Sequence, residues 1–344
     1  MKATVIQQDG ALVLQELPVP SIGEGEILVG MRACGICGTD LEKVNGHAMT
    51  APVLGHEVAG VVERVGESVR GIEVGERVVV HHHVSCGYCY YCKNSFETIC
   101  EAYPKSNLEP CGFAEYFRVS QTLVNGGAVH RIMAESNFES ASQVEPTACC
   151  IRALRKAGIE PGETAAVFGL GPVGLTLVEL LKLYGVAPIF GIDVIEKRRT
   201  LAIEVGANYT FDPRKEDVPN LIVSQTERGV DCAVVATGNP KAIEQALQSV
   251  RKGGKVLLFG APARGTQLTF DVSRTWIREI TFLSSYSASE LDMQIALDLI
   301  QRRRIFPSTT ITHRFPLSQI ADAFQVAAKA EDAGKIIVEN PMLQ

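Results

Sequence analysis

No stretch of the 344 residues is apolar for long enough to span a bilayer. The opening Met1-Lys2-Ala3 runs into an alternating, strand-like pattern that lacks the long apolar core of a signal peptide, so a cytoplasmic protein is expected. Excess positive charge is also missing. Lys and Arg number 33 against 39 Asp and Glu, a formal net charge of -6, which removes any general attraction to nucleic acid or to an anionic membrane. There is no internal repeat, low-complexity tract or charged tail. Disorder would need fewer apolar residues and more net charge than a chain that is 46% hydrophobic and 21% charged. What remains is a globular chain long enough for two domains.

The first third carries short alternating runs such as GEILVGMRAC and EVAGVVERVG with frequent turn signals, which predicts a β-rich domain. Near residue 145 the texture changes. ETAAVFGLG, APIFGIDV, VDCAVVATG and GGKVLLFGAP are short β-branched stretches, and helical patterns such as GPVGLTLVELLKLYG and PKAIEQALQSVRKGG fill the gaps. That alternation predicts βαβ units and a parallel sheet covered on both faces. After about residue 288 come two amphipathic helical patterns, LDMQIALDLIQRRR and SQIADAFQVAAKAE, and a last strand, GKIIVEN.

Ten cysteines would suit a disulfide scaffold in a short secreted chain, but here four of them fall within fifteen residues. Cys86, Cys89, Cys92 and Cys100 form C-x2-C-x2-C-x7-C. The short gaps present successive thiolates to one ion, and the longer gap lets the loop fold back to complete a tetrahedron. Four thiolates close the coordination sphere, so this zinc is expected to be structural and to hold a loop with little core of its own. Unpaired core cysteines, disulfides and a nucleic-acid-binding zinc module are the alternatives. Scattered core cysteines have no reason to follow metal spacing, and the chain lacks a basic stripe.

A second set is spread along the chain: Cys37 in ACGICGTD, His56-Glu57 in VLGHEVAG and Glu145 in QVEPTACC. A thiolate, an imidazole and a carboxylate make a zinc set with one position open, as Lewis-acid catalysis requires. Each also has an ordinary reading, as a core thiol, a satisfied core histidine or a surface carboxylate. His81, His82 and His83 follow ERVVV at a strand end, where successive side chains point to opposite faces. A shared metal is not expected of them; packing or substrate-side lining is.

Gly169-Leu170-Gly171-Pro172-Val173-Gly174 matches G-x-G-x-x-G between a predicted strand, AAVF, and a predicted helix. Asp193 ends the following strand. This order suits a pyrophosphate at the helix N-terminus and a carboxylate on the adenosine ribose, and the acid favours NAD over NADP. Arg198 tempers that preference, since a nearby arginine accepts a phosphate as readily as it stacks on adenine.

These motifs, in this order, resemble the zinc-containing medium-chain dehydrogenase/reductase family over essentially the whole chain. The carriers are Gly55-His56-Glu57, Cys37-Gly38-Thr39-Asp40 and the four-cysteine loop. The resemblance implies an α/β protein. Its GroES-like catalytic domain, 1–147, would carry the structural zinc loop at 86–100. A Rossmann NAD-binding domain with a doubly wound parallel sheet would span 148–287, and 288–344 would return to the first domain, with the active site in the cleft between them. It implies two zinc ions per chain and NAD, with Cys37, His56 and either Glu57 or Glu145 on the catalytic zinc. Thr39 would take the alcohol proton, and Asp40 would be a carboxylate behind the ligands. A homodimer or homotetramer is the family expectation. Glu145-Pro146, REITFLSSYSAS, THRFPLSQIADAF and VEPTACCIRALRKAGI resemble the polyol (L-iditol 2-dehydrogenase) group. The expected reaction is therefore hydride transfer from a secondary alcohol, in particular a polyol, to NAD. L-Threonine, a small diol or a simple alcohol is the alternative substrate, and a non-catalytic NAD-binding redox sensor is the alternative of another class. The histidine such enzymes carry five positions after the catalytic cysteine is Glu42 here, so the proton exit differs, and His47 or solvent is the substitute to consider.

Overall fold

The structure, a computed structural model, describes residues 1–7, 10–46, 54–329 and 334–340. His47 lies outside the described residues. The chain forms two compact units, Met1–Ala148 with Ser287–Gln344, and Cys149–Tyr286.

In the first unit, β1 (Lys2–Ile6) and β2 (Leu12–Glu16) make an antiparallel pair. β3 (Ile27–Gly35) and β4 (Glu57–Val65) are the long central strands of a larger sheet, joined by β5 (Arg77–Val80), β6 (Tyr116–Val119) and β7 (Val129–Arg131). Val, Ile and Ala dominate β3 and β4, and Ile27, Val29, Met31, Val58 and Val62 build the core with Phe113 and Phe117. The antiparallel register sets Gly35 opposite Glu57. The end of β3 that leads to Cys37 therefore lies beside the start of β4, where His56 enters.

The second unit is a six-stranded parallel sheet of β8 (Ala165–Phe168), β9 (Ile189–Ile192), β10 (Tyr209–Phe211), β11 (Val230–Val235), β12 (Val250–Leu258) and β13 (Thr281–Ser284). Its spatial order, β10-β9-β8-β11-β12-β13, is that of a doubly wound dinucleotide-binding sheet, with the order reversing at β8. β8, β9 and β11 are buried throughout, as continuous apolar runs in a parallel sheet should be. One boundary differs from the sequence pattern. VRKGG reads as the end of a helix, but the helix Pro240–Ser249 stops before it and β12 begins at Val250. The β-branched Val250 and the paired glycines at 253 and 254 favour extended backbone over helix.

The chain then returns to the first unit. Helix Glu290–Gln301 starts with a capping box in which Ser289 and Asp292 bond each other's backbone N–H. β14 (Ile311–Pro316) and β15 (Lys335–Glu339) complete the larger sheet, in the order β14-β15-β3-β4-β5-β7, with β15 antiparallel to β3. The fold is thus α/β, a GroES-like β-rich domain plus a Rossmann domain.

Candidate active site

Cys37 stands immediately before the short helix Gly38–Val44, and Asp40 in its first turn is fully buried. The Asp40 carboxylate organises three groups. Oδ2 accepts the Cys37 N–H at 3.0 Å, Oδ1 accepts the Gly55 N–H at 3.0 Å, and Oδ1 lies 3.5 Å from His56 Nδ1. It thereby ties the cysteine and histidine loops together and points the other imidazole nitrogen toward Cys37. The ligand atoms of Cys37, His56 and Glu57 all lie within 4.8 Å of one another. Thr39 Oγ1 is 3.5 Å from His56 Nε2. Burial disfavours a charged His56, but Asp40 and then Cys37 outweigh it and hold the imidazole well above its ordinary range. A metal ion entering here therefore displaces a proton.

Glu57 is fully buried, and its partner was not foreseen from sequence: Lys335 in β15 places Nζ 2.7 and 2.5 Å from its two carboxylate oxygens and donates to the Ile36 carbonyl at 3.2 Å. Burial alone would lower Lys335, but Glu57 outweighs it and holds the ammonium above its usual value. Gly35 makes room for the pair, since a Cβ there would lie 2.0 Å from Glu57 Oε2. The available signal was weak: a lone lysine, Lys335, opens the otherwise apolar KIIV.

Glu145, buried at the start of helix Val144–Ala157, places a ligand atom within 4.8 Å of those of His81 and His82, and its charge also acts on Glu57 and Lys335. The expectation that the three histidines diverge fails because β5 ends at Val80, so strand alternation no longer governs them. His82 instead packs its ring 4.8 Å from that of His56 and 4.0 Å from that of His83. Burial, reinforced by the other histidines, pushes His82 well down and His83 to about 4, so both are neutral near pH 7.

Cys86, Cys89, Cys92 and Cys100 converge. The Sγ atoms of Cys86 and Cys92 are 3.9 Å apart and those of Cys89 and Cys92 3.5 Å. A zinc tetrahedron with sulfur at 2.3 Å has an edge of about 3.8 Å, so the donor set fits the ion as it stands. The Cys86 N–H reaches Cys100 Sγ at 3.5 Å. Against the opposing effect of burial, such backbone donors bring the Cys100 thiol down to about 6. Tyr88 and Tyr90 on this loop are 75% exposed, so apolar packing does little to hold it.

In the second unit the glycine loop lies between β8 and helix Pro172–Leu183. A Cβ on Gly174 would sit 2.0 Å from the Gly169 carbonyl, so only glycine lets the helix approach the strand. A Cβ on Gly171 would meet nothing within 4 Å, which leaves the open space a pyrophosphate needs beside that backbone. Leu170 is buried, Pro172 takes the first helical turn, and Val173 follows it. Asp193 Oδ2 accepts the Leu170 N–H at 2.7 Å and Oδ1 the Ile195 N–H at 2.8 Å, so this carboxylate also braces the loop. Arg198 Nη1 lies 3.7 Å from Asp193 Oδ2, and Arg199, which was not singled out from sequence, donates to the Asp193 carbonyl at 2.7 Å.

Two family models match the chain: an alcohol dehydrogenase GroES-like domain over residues 23–126 and a zinc-binding dehydrogenase over 172–302. A sorbitol dehydrogenase of Bacillus subtilis (strain 168) is 35% identical over 273 residues, 77% of this chain and 76% of that protein. An alcohol dehydrogenase of Geobacillus stearothermophilus is 31% identical over 98% of this chain and 99% of its own length. A solved structure from Sinorhizobium meliloti 1021, bound to NADP, superposes with a TM-score of 0.90 at 29% identity over 98% of each chain. With both family domains present and a relative 31% identical matched over nearly its full length, the chain belongs to the zinc-binding family of medium-chain dehydrogenases, oxidoreductases that act on small alcohols with zinc and a nicotinamide cofactor.

Proposed function

We propose that this dehydrogenase oxidises a secondary alcohol of a polyol and passes the hydride to NAD. The observation that carries the reading is the set of the half-buried Cys37 with the buried His56 and Glu57, a thiolate, an imidazole and a carboxylate within 4.8 Å, backed by Asp40. Zinc held there supplies Lewis acidity that lowers the pKa of an alcohol, and NAD supplies the hydride acceptor. Asp40 keeps His56 oriented, and Lys335 balances the buried charge of Glu57. Thr39 presents a hydroxyl beside His56 that can take the alcohol proton and hand it on. Cys86, Cys89, Cys92 and Cys100 hold a second, structural zinc with no open position.

For the cofactor, Gly169 to Gly174 cradle the pyrophosphate, and Asp193 bonds the ribose through lone pairs left beyond its two backbone contacts. NADP is the second reading. It is favoured by Arg198 beside Asp193 and by Arg214, an exposed side chain that reaches the Val194 carbonyl. A homo-oligomer is supported by the exposed Val272, Trp276 and Ile277 on helix Val272–Ile277, beside β13, which pairs with β12 alone among the described strands. No helix of the described residues is long and apolar enough to cross a membrane.

The test is reduced-cofactor formation with NAD and with NADP across sorbitol, xylitol, iditol, threonine, butane-2,3-diol and simple alcohols. Turnover of a polyol with NAD, abolished in Cys37→Ser, is the expected result. Turnover of threonine or a simple alcohol alone would keep the chemistry and overturn the substrate. Binding of zinc and NAD without turnover on any substrate would favour a non-catalytic redox sensor.

A further inference from the structure

Asp193 is one of two acids at the adenosine end of the cofactor loop. Its N–H donates to the Phe211 carbonyl at 3.3 Å, so the end of β9 runs beside the end of β10. Ligands of a parallel sheet bind beyond such strand ends. The second acid, Asp212, follows β10, is buried and belongs to no motif.

Asp212 holds Arg214 in a fork. Oδ1 accepts from Arg214 Nε at 3.1 Å and Oδ2 from Nη2 at 2.9 Å, the planar bidentate pairing an arginine otherwise offers to a phosphate. The same Nη2 donates at 2.6 Å to the carbonyl of Val194, the residue after Asp193. The Arg214 side chain is thus 61% exposed beside the loop assigned to the ribose, yet the edge that would clasp a phosphate faces Asp212. Arg199 Nη1 lies 3.7 Å from Asp212 Oδ2 and donates to the Asp193 carbonyl. One buried carboxylate therefore fixes two arginines against the backbone of Asp193 and Val194.

The turn after β10 does not need that charge. The Lys215 and Glu216 N–H groups donate to the Asp212 carbonyl at 3.0 and 3.1 Å. The Arg214 N–H donates to Asp212 Oδ1 at 3.0 Å, a contact that an asparagine side-chain oxygen keeps. The charge acts on the arginines.

We infer that Asp212 is a positioning residue for cofactor selection: by occupying Arg214 it leaves Asp193 to meet the adenosine ribose, and so favours NAD over a cofactor with a 2'-phosphate. The inference rests on the dinucleotide reading of the glycine loop and Asp193. In Asp212→Asn the side-chain oxygen still accepts the Arg214 N–H, but the NH2 group presents donors to a guanidinium that has only donors. The fork does not re-form, and Arg214 can turn its parallel N–H groups to a 2'-phosphate.

Titration of the full chain with NADH and with NADPH, read by fluorescence of the reduced nicotinamide, tests this through the ratio of the two dissociation constants. The wild type is expected to bind NADH more tightly. Asp212→Asn should shift the ratio toward NADPH by about tenfold, the weight of one charge-assisted hydrogen bond. Adding Arg214→Gln to that variant should restore the wild-type ratio, and Arg214→Gln alone should leave it where it is. Circular dichroism checks each fold, and Asp212→Ser, which caps the same turn without charge, replaces the asparagine variant if that one does not fold. A wild type that prefers NADPH, an unmoved ratio in Asp212→Asn, a ratio that moves in Arg214→Gln alone, or the same shift with Arg214 absent would each overturn the proposal. The last outcome would mean that Asp212 repels the phosphate directly. Failure of both cofactors to bind would remove the dinucleotide reading and this inference with it. No readout uses turnover, so a wrong substrate assignment leaves the test unaffected.

Discussion

The four-cysteine loop and the Cys37–His56–Glu57 set solve opposite problems with overlapping chemistry. The loop draws its donors from one local segment, is flanked by exposed tyrosines, and spans sulfur–sulfur distances already near those of a zinc tetrahedron. The other set draws on residues at two strand ends, is bounded by a buried aspartate and a buried Lys–Glu pair, and has mixed donors. In the loop the ion replaces a hydrophobic core. In the Cys37 set the core is already built, and the fold holds donors in a place where an ion can work on a substrate. A site that needs metal to fold is expected to be local and closed, whereas a site that uses metal for chemistry can be assembled from distant segments because the scaffold carries the cost.

Cysteine-to-serine exchange in each region gives the sharpest way to break this comparison. Cys37→Ser should lower kcat/KM by about a thousand-fold or more, since Lewis-acid stabilisation amounts to several kcal/mol, while leaving the melting temperature close to that of the parent. Cys89→Ser should do the reverse: one zinc lost per chain, rapid proteolysis within 86–100, and a cofactor-binding unit that still binds NAD. Thermal melts, limited proteolysis and metal counts on the two variants read this directly. Equal loss of stability in both would remove the distinction between a folding ion and a working one.

The two regions also differ in how far sequence exposes them. The cysteine loop is legible because its ligands are neighbours in the chain, and C-x2-C-x2-C is a geometric statement as much as a sequence one. The glycine loop is legible for the same reason, and β8, the helix after it and β9 stand where the apolar runs place them. Lys335 was not legible. Its partner Glu57 lies 278 positions away, and only the antiparallel pairing of β15 with β3, itself beside β4, brings the two together. The histidine rings pack as expected, but they were expected to diverge because strand alternation was carried past Val80, where β5 ends. Long-range pairing and the exact end of a strand are set by tertiary packing, which no local pattern encodes.

That same pairing yields the next prediction. Removing one member of a buried ion pair strands the other, at a typical cost of about 3–5 kcal/mol. Lys335→Met should destabilise the chain by that amount in denaturant melts, and Lys335→Arg should recover part of it. The sign with pH follows from the raised lysine. Its contribution is fully present below the pKa of an unfolded lysine and is lost only as pH rises through the higher folded value. The gap between wild type and Lys335→Met should therefore be flat around neutrality and narrow only in strong alkali. A gap that closed near pH 7 would mean that the lysine is not charged in the fold.

The smallest effect concerns Glu290, which joins the returning segment to the first strands of the same unit. Its two oxygens accept from His81 at 2.6 Å and His130 at 2.8 Å, and its side chain is 28% exposed. Partial exposure reduces what each bond contributes, so Glu290→Gln should cost about 1–3 kcal/mol, less than the fully buried Lys335 exchange. Because the glutamate is held below its ordinary value, its stabilisation is present above the unfolded carboxyl pKa and disappears as pH falls through the lowered one. Wild type and Glu290→Gln should therefore converge in acid and separate toward neutrality, the opposite of the alkaline convergence expected at Lys335. If the glutamine variant were instead equally destabilised at every pH, the carboxylate would be acting through its shape alone. The two histidines would then owe their orientation to the packing around Tyr103 rather than to charge.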